Sequence, residues 1–111
     1  MERFVAGDII VVPFPFTDLS NSRKRPALVL SNLEGNDIII CEITSVIRKD
    51  NYVVQLENKD LELGKLRTKS IIRLNRIVTL HKSKISYKFG KINDSKLQEV
   101  LKKVKIVFNL K

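Results

Sequence analysis

The chain has 111 residues, enough for one hydrophobic core and too few for two, so a single domain over 1–111 is expected. Its 43% hydrophobic residues, with only three prolines and four glycines, exclude a disordered or low-complexity chain. The net charge of +9, from 21 Lys and Arg against 12 Asp and Glu, favours a negatively charged partner, nucleic acid or an acidic protein, although lysines scattered over a solvated face would give the same sum.

The N-terminal residues Met1 to Asp8 lack the apolar run of a secretion signal and no stretch is long enough to span a bilayer, so a cytoplasmic location is expected. Ile9-Ile10-Val11-Val12 is a β-branched run that reads as a buried strand and is broken by Pro13 and Pro15. The polar segment Thr17 to Lys24 follows, with Asp18, Ser20, Asn21 and Ser22, and reads as an exposed loop.

Two strand-like runs come next, Pro26 to Leu30 and Asp37 to Thr44, joined by Leu33-Glu34-Gly35-Asn36, which suits a tight hairpin. With the turn centred on Glu34-Gly35, opposed residues have numbers summing to 69. That register sets Asn32 against Asp37, Leu28 against Cys41, Pro26 against Ile43 and Arg25 against Thr44. One face is then wholly apolar: Pro26, Leu28 and Leu30 against Ile39, Cys41 and Ile43. The other holds Ala27 and Val29 against Ile40 and Glu42, and ends in Arg25 and Thr44.

Tyr52 to Leu56 reads as a further strand, Lys69 to Leu80 as one long strand or one broken around Asn75, and Ile85 to Ile92 as another short one. After Asn93-Asp94-Ser95 the period changes. Leu97, Val100, Leu101, Val104 and Phe108 recur at helical spacing, with Ser95 and Gln98 in capping-box relation. This C-terminal helix should carry Lys96, Lys102, Lys103 and Lys105 on its outer face. Residues 81–111 hold nine lysines against Asp94 and Glu99, so +7 of the net charge sits there. Several short strands with one terminal helix imply a small, strongly curved sheet or barrel closed by that helix.

Phosphate-binding glycine loops, nucleophile elbows and His-Glu-x-x-His motifs are absent. Cys41 is the only cysteine and His81 the only histidine, which leaves no cysteine-based metal site and little prospect of zinc, so no metal or other cofactor is expected. His81 reads as structural or exposed. What remains is Arg25 facing Thr44, with Glu42 one diagonal step away. Opposed strand residues have Cβ atoms about 4.5–5.5 Å apart, so a guanidinium and a hydroxyl could converge on one phosphate. A strand-ending Arg and an ordinary strand Thr would look the same. For Glu42 an ion pair with Arg25 is the expected role, in preference to a general base.

The segments Gly7 to Asp18 (GDIIVVPFPFTD), Arg25 to Leu30 (RPALVL) and Ile43-Thr44-Ser45 together resemble, in order and spacing, the MazF/PemK family of type II toxin-antitoxin toxins. The resemblance implies a mainly β (α+β) fold, a small SH3-like β-barrel of the MazF/PemK/CcdB toxin type with a C-terminal α-helix. It further implies a homodimer, an acidic antitoxin partner, and metal-independent cleavage of single-stranded RNA at short sequences to 2′,3′-cyclic phosphate and 5′-hydroxyl ends. By position, Arg25 and Thr44 are the catalytic pair, with Arg23 and Ser45 beside them as RNA-binding residues. Some members carry an acid or a His in the loop before the Arg, where this chain has Ser20, Asn21, Ser22 and Arg23, with Asp18 the nearest carboxylate. Others carry an acid just ahead of the segment matching Lys69-Ser70-Ile71, where this chain has Leu66-Arg67-Thr68, so Arg67 and Lys69 are candidate RNA-binding residues. The alternative function within this fold is a non-catalytic toxin that poisons DNA gyrase.

Overall fold

The computed structural model describes residues 3–13 and 23–110. Its elements in chain order are β1 (Asp8–Pro13), β2 (Lys24–Asn32), β3 (Asp37–Thr44), β4 (Val53–Leu56), β5 (Leu61–Leu63), β6 (Ser70–His81), β7 (Tyr87–Ile92) and α1 (Asp94–Val107). Single 3₁₀ turns at Asn58–Asp60 and Lys82–Lys84 precede β5 and β7. The strands form one antiparallel sheet in the order β4-β6-β3-β2-β1-β7-β5, curved into a half-barrel with α1 as its one α-helix. Of the loop expected at Thr17 to Lys24, residues 17–22, including Asp18, Ser20 and Asn21, lie outside the described residues, and Lys24 already belongs to β2. No described helix is long and apolar enough to cross a membrane.

Alternation in the strands produces two apolar clusters, one on each side of the sheet. Ile9, Leu28, Cys41, Ile43, Ile72 and Leu74 join Val100 and Leu97 of α1 on one side, and Ile10, Val12, Ala27, Val29, Ile38 and Ile40 make the other. Because a strand's side chains point alternately to opposite faces, a one-residue slip would exchange the two sets, and burial on both faces locks the register. The β2–β3 pairs Ala27–Glu42, Leu28–Cys41 and Val29–Ile40 follow the expected sum of 69. Beyond Val29 the register changes, so Asn32 faces Ile38 rather than Asp37: Leu30 is an extra residue on β2, a bulge absorbed before the turn at Gly35. The long strand β6 carries a larger irregularity. Cys41 faces Ile77 while the next residue, Glu42, faces Arg73, leaving Leu74, Asn75 and Arg76 as excess where a break around Asn75 was expected.

Three expectations for the C-terminal third are corrected. Helix α1 is capped by Asn93, whose side-chain oxygen accepts from the Lys96 amide at 2.8 Å, rather than by Ser95, because the helix begins two residues earlier. Lys96 is buried, not outward: its Nζ lies 2.9 Å from Glu99 Oε1, 3.0 Å from the Gln55 carbonyl and 3.6 Å from Asp60 Oδ2. Asp60 comes from a distant turn, so helical spacing alone could not reveal this pairing. Leu97, Val100 and Val104 pack into the core as expected, whereas Leu101 and Phe108 are exposed together with Ile106 and Leu110.

Candidate active site

Continuing the 69 register two residues past the Ala27–Glu42 pair brings the start of β2 beside the end of β3, and a cavity of about 430 Å³ opens there. Lys24, Arg25 and Pro26 line it from β2, with Arg23 just before that strand, and Ile43 and Thr44 from β3, with Ser45 just after it. Leu66, Arg67 and Thr68 come from the loop leading into β6, Ser70 from the start of that strand, and Phe89 from β7. Arg25, Thr44, Arg23, Ser45 and Arg67 are thus brought together at one opening. Lys69 is not among them. It lines a neighbouring cavity of about 420 Å³ with Arg48, Lys49 and Glu57, its Nζ 3.8 Å from Glu57 Oε1.

Four cations line the Arg25 cavity and none of its described lining residues is acidic. Arg23, Lys24, Arg25 and Arg67 form no ion pair among the described residues. Glu42, expected to hold Arg25, instead pairs with Arg73 at 3.3 Å, both residues buried. The reason is positional: Arg73 stands directly opposite Glu42 across β3–β6, whereas Arg25 is a diagonal neighbour on β2. This leaves Arg25 half-buried and available.

Thr44 Oγ1 accepts a hydrogen bond from the Val46 amide at 3.1 Å. One of its two lone pairs is thereby occupied, and its proton is left for another acceptor, which suits a donor to a phosphate oxygen. Ser70 Oγ donates to the Thr68 carbonyl at 3.2 Å and shapes the loop on the far side. That loop is held by Asn58, whose Oδ1 accepts from the Leu66 amide at 2.7 Å while its Nδ2 donates to the Leu66 carbonyl at 3.3 Å. Next to it the backbones of β5 and β7 cross in contact. A Cβ on Gly90 would meet the Leu63 carbonyl oxygen, and one on Gly64, already at φ +90°, would stand 2.7 Å from the Phe89 carbonyl oxygen. Asn58, Leu66 and Phe89 were not singled out from the sequence. Asn58 reaches Leu66 across eight residues and Phe89 comes from more than twenty residues further on, and only the glycines hint at a close approach.

Cys41 is fully buried and far from any chemistry: burial pushes its thiol well above the ordinary range, only partly opposed by a backbone hydrogen bond from Leu28. His81 is exposed, and its Nδ1 accepts from the Ser83 amide at 3.1 Å, capping the Lys82–Lys84 turn. Among the described residues no group of three His, Cys, Asp or Glu side chains could hold a metal ion.

The family described as PemK-like, MazF-like toxin of type II toxin-antitoxin system matches residues 6–108. The chain belongs to this family. Its fold is also that of solved family structures. MazF of Deinococcus radiodurans superposes with a TM-score of 0.77 at 21% identity, over 99% of this chain and all of that one. The Mycobacterium tuberculosis toxin MazF-mt6 gives 0.76 at 15% identity over 94% and 98%. An endoribonuclease in complex with its cognate antitoxin, from a mycobacterial species, gives 0.78 at 14% identity over 98% of each chain. For this MazF-like toxin the matches establish the fold, and the cavity at the β2–β3 end supplies the chemistry to be interpreted.

Proposed function

We propose that this MazF-like toxin is an endoribonuclease. On this reading it cleaves single-stranded RNA at short sequences, without a metal ion, to 2′,3′-cyclic phosphate and 5′-hydroxyl ends. The observation that carries the reading is the convergence of Arg25 and Thr44 on one cavity that gathers four cations and no described acid. In the reaction the 2′-oxygen of one nucleotide attacks the adjacent phosphorus. The P–O2′ bond forms, the P–O5′ bond breaks, the 2′ proton departs and the 5′ oxygen gains one. The nucleophile belongs to the substrate, so the protein's task is to orient the strand and stabilise the charged phosphorane. Arg25 neutralises the phosphate with a bidentate-capable guanidinium, and Thr44 donates its hydroxyl proton to a non-bridging oxygen. Arg23 and Ser45 hold the strand at the rim, Arg67 from the opposite wall, and Lys69 extends the basic track into the next cavity. A guanidinium offers donors and no acceptor, so the role of Arg25 is charge stabilisation rather than proton abstraction.

The partners follow from the same reading. An acidic antitoxin suits the +9 chain, and a structural neighbour is an endoribonuclease bound to its cognate antitoxin. A homodimer, acting in the cytoplasm, suits the apolar side chains Ile106, Phe108 and Leu110 left exposed at the end of α1. Sedimentation at micromolar concentration should find a dimer, and monomer alone would contradict it.

Purified protein incubated with single-stranded RNA in excess EDTA tests the activity. Cleavage with cyclic-phosphate ends is expected, and its loss in Arg25→Ala and Thr44→Ala ties it to this cavity. Intact RNA, or cleavage unchanged in both variants, overturns the mechanism.

A further inference from the structure

Arg67 stands on a segment that is not part of the sheet. Residues 64–69 run between β5 and β6 outside any strand, and an unsupported loop must be ordered when a ligand binds, at a cost in affinity. Asn58 supplies what a neighbouring strand would. Its Oδ1 accepts from the Leu66 amide at 2.7 Å and its Nδ2 donates to the Leu66 carbonyl at 3.3 Å, so one side-chain amide meets both backbone groups of the residue before Arg67. Turned end for end, that amide would set donor against donor and acceptor against acceptor, so the pairing holds it one way round.

The clamp is itself braced. Asn58 opens the Asn58–Asp60 turn, closed by a capping box in which the Glu57 side chain accepts from the Asp60 amide and Asp60 Oδ2 accepts from the Glu57 amide at 2.8 Å. Helix α1 secures the same turn. The Asn93 amide donates to the Asp60 carbonyl at 2.8 Å, Asn93 Nδ2 to the Lys59 carbonyl at 3.3 Å, and Lys96 Nζ lies 3.6 Å from Asp60 Oδ2. On the other side of the clamp Leu66 is buried in the core, and the exposed Arg67 follows it directly. We propose that Asn58 is a positioning residue, acting through Leu66 to hold Arg67 where it meets the backbone of a bound strand. The inference rests on the RNA-cleaving reading and gives a part in it to a neutral residue outside the cavity lining.

Because Asn58 carries no charge, the salt dependence of binding separates positioning from simple support. The probe is a labelled single-stranded RNA with 2′-fluoro sugars, which lack the attacking hydroxyl. Arg67→Ala should lower the log–log salt slope by about 0.7, one phosphate contact. Asn58→Ala should lower it nearly as far although Arg67 is still present, Asn58→Leu should match it, and neither should add to Arg67→Ala in a double variant. With ordinary RNA, Asn58→Ala should raise KM and leave kcat near wild type, the pattern of a lost contact made equally in ground and transition states. In the unaltered protein the Leu66 amide should exchange its hydrogen slowly. A slope lowered by Arg67→Ala but by neither Asn58 variant at a wild-type melting temperature overturns the proposal. So do losses that sum in the double variant, a Leu66 amide that exchanges as an unprotected one, or a slope unchanged in Arg67→Ala. The expected slopes without RNA cleavage would defeat the endoribonuclease reading alone, and cleavage with a slope indifferent to Asn58 would defeat the clamp alone.

Discussion

Two groups of cations in this protein differ in what faces them. Arg73, Lys88 and Lys96 are each matched to carboxylates supplied from elsewhere in the fold: Arg73 to Glu42, Lys88 to the buried Asp8 at 3.2 Å, and Lys96 to Asp60 and Glu99. Arg23, Lys24, Arg25 and Arg67 surround a cavity whose described lining has no acid. A charge matched inside the fold serves the fold, because leaving either partner alone costs its full desolvation. A charge left unmatched at an opening is available to a ligand and repels its neighbours until one arrives. The difference separates structural from functional basic residues better than position in the sequence does, since Arg73 and Arg67 are only six residues apart.

The largest test of this division is Glu42→Ala. Removing the carboxylate strands Arg73 in the interior and should cost about 3–5 kcal/mol in denaturant unfolding, while replacing both residues by apolar ones of similar volume should recover most of it. A loss under about 1 kcal/mol would mean that Arg73 belongs with the open group. Arg25→Ala should do the reverse, lowering the rate of RNA cleavage about 10²- to 10³-fold, as loss of one oxyanion donor does, with little change in stability. If unfolding shifts as far as activity falls, Arg25 is a structural cation after all. A smaller effect is expected for Arg67→Ala and Arg23→Ala, which should each lower the log–log salt slope of single-stranded RNA binding by about 0.7 while unfolding changes by less than about 0.5 kcal/mol.

Which of these groups a residue joins was only partly legible beforehand. The β2–β3 register could be counted from Gly35 because both faces of the hairpin alternate cleanly, and that count alone brought Arg25 toward Thr44. Glu42 was assigned the wrong partner because its true one, Arg73, sits opposite only after the three-residue irregularity at Leu74 to Arg76, which no local pattern announces. Lys96 sits at a helical position that reads as outward, and only the turn at Asn58–Asp60 brings Asp60 over it. Strand β5 is three residues long and escaped notice for the same reason as Phe89 and Leu66: short segments signal weakly, and their neighbours are set by tertiary contact. The legible part was periodic or turn-directed, and the rest depended on pairs distant in sequence.

Lys69 tests the boundary between the groups, and with the smallest effect. Its contact with Glu57 is 3.8 Å long and its side chain is 80% exposed, so the pair neither buries charge nor holds a defined geometry. Solvent screening should leave Lys69→Ala within about 0.5 kcal/mol of wild type in unfolding. Its place in the adjoining cavity, which shares Ser70 with the Arg25 cavity, makes a second prediction independent of the first. If an RNA strand runs from one cavity into the other, Lys69→Ala lowers the salt slope by about 0.7, as Arg67→Ala does. A slope unchanged in Lys69→Ala but reduced in Arg67→Ala would confine the strand to the Arg25 cavity, and Lys69 would then be a solvated lysine in loose contact with Glu57.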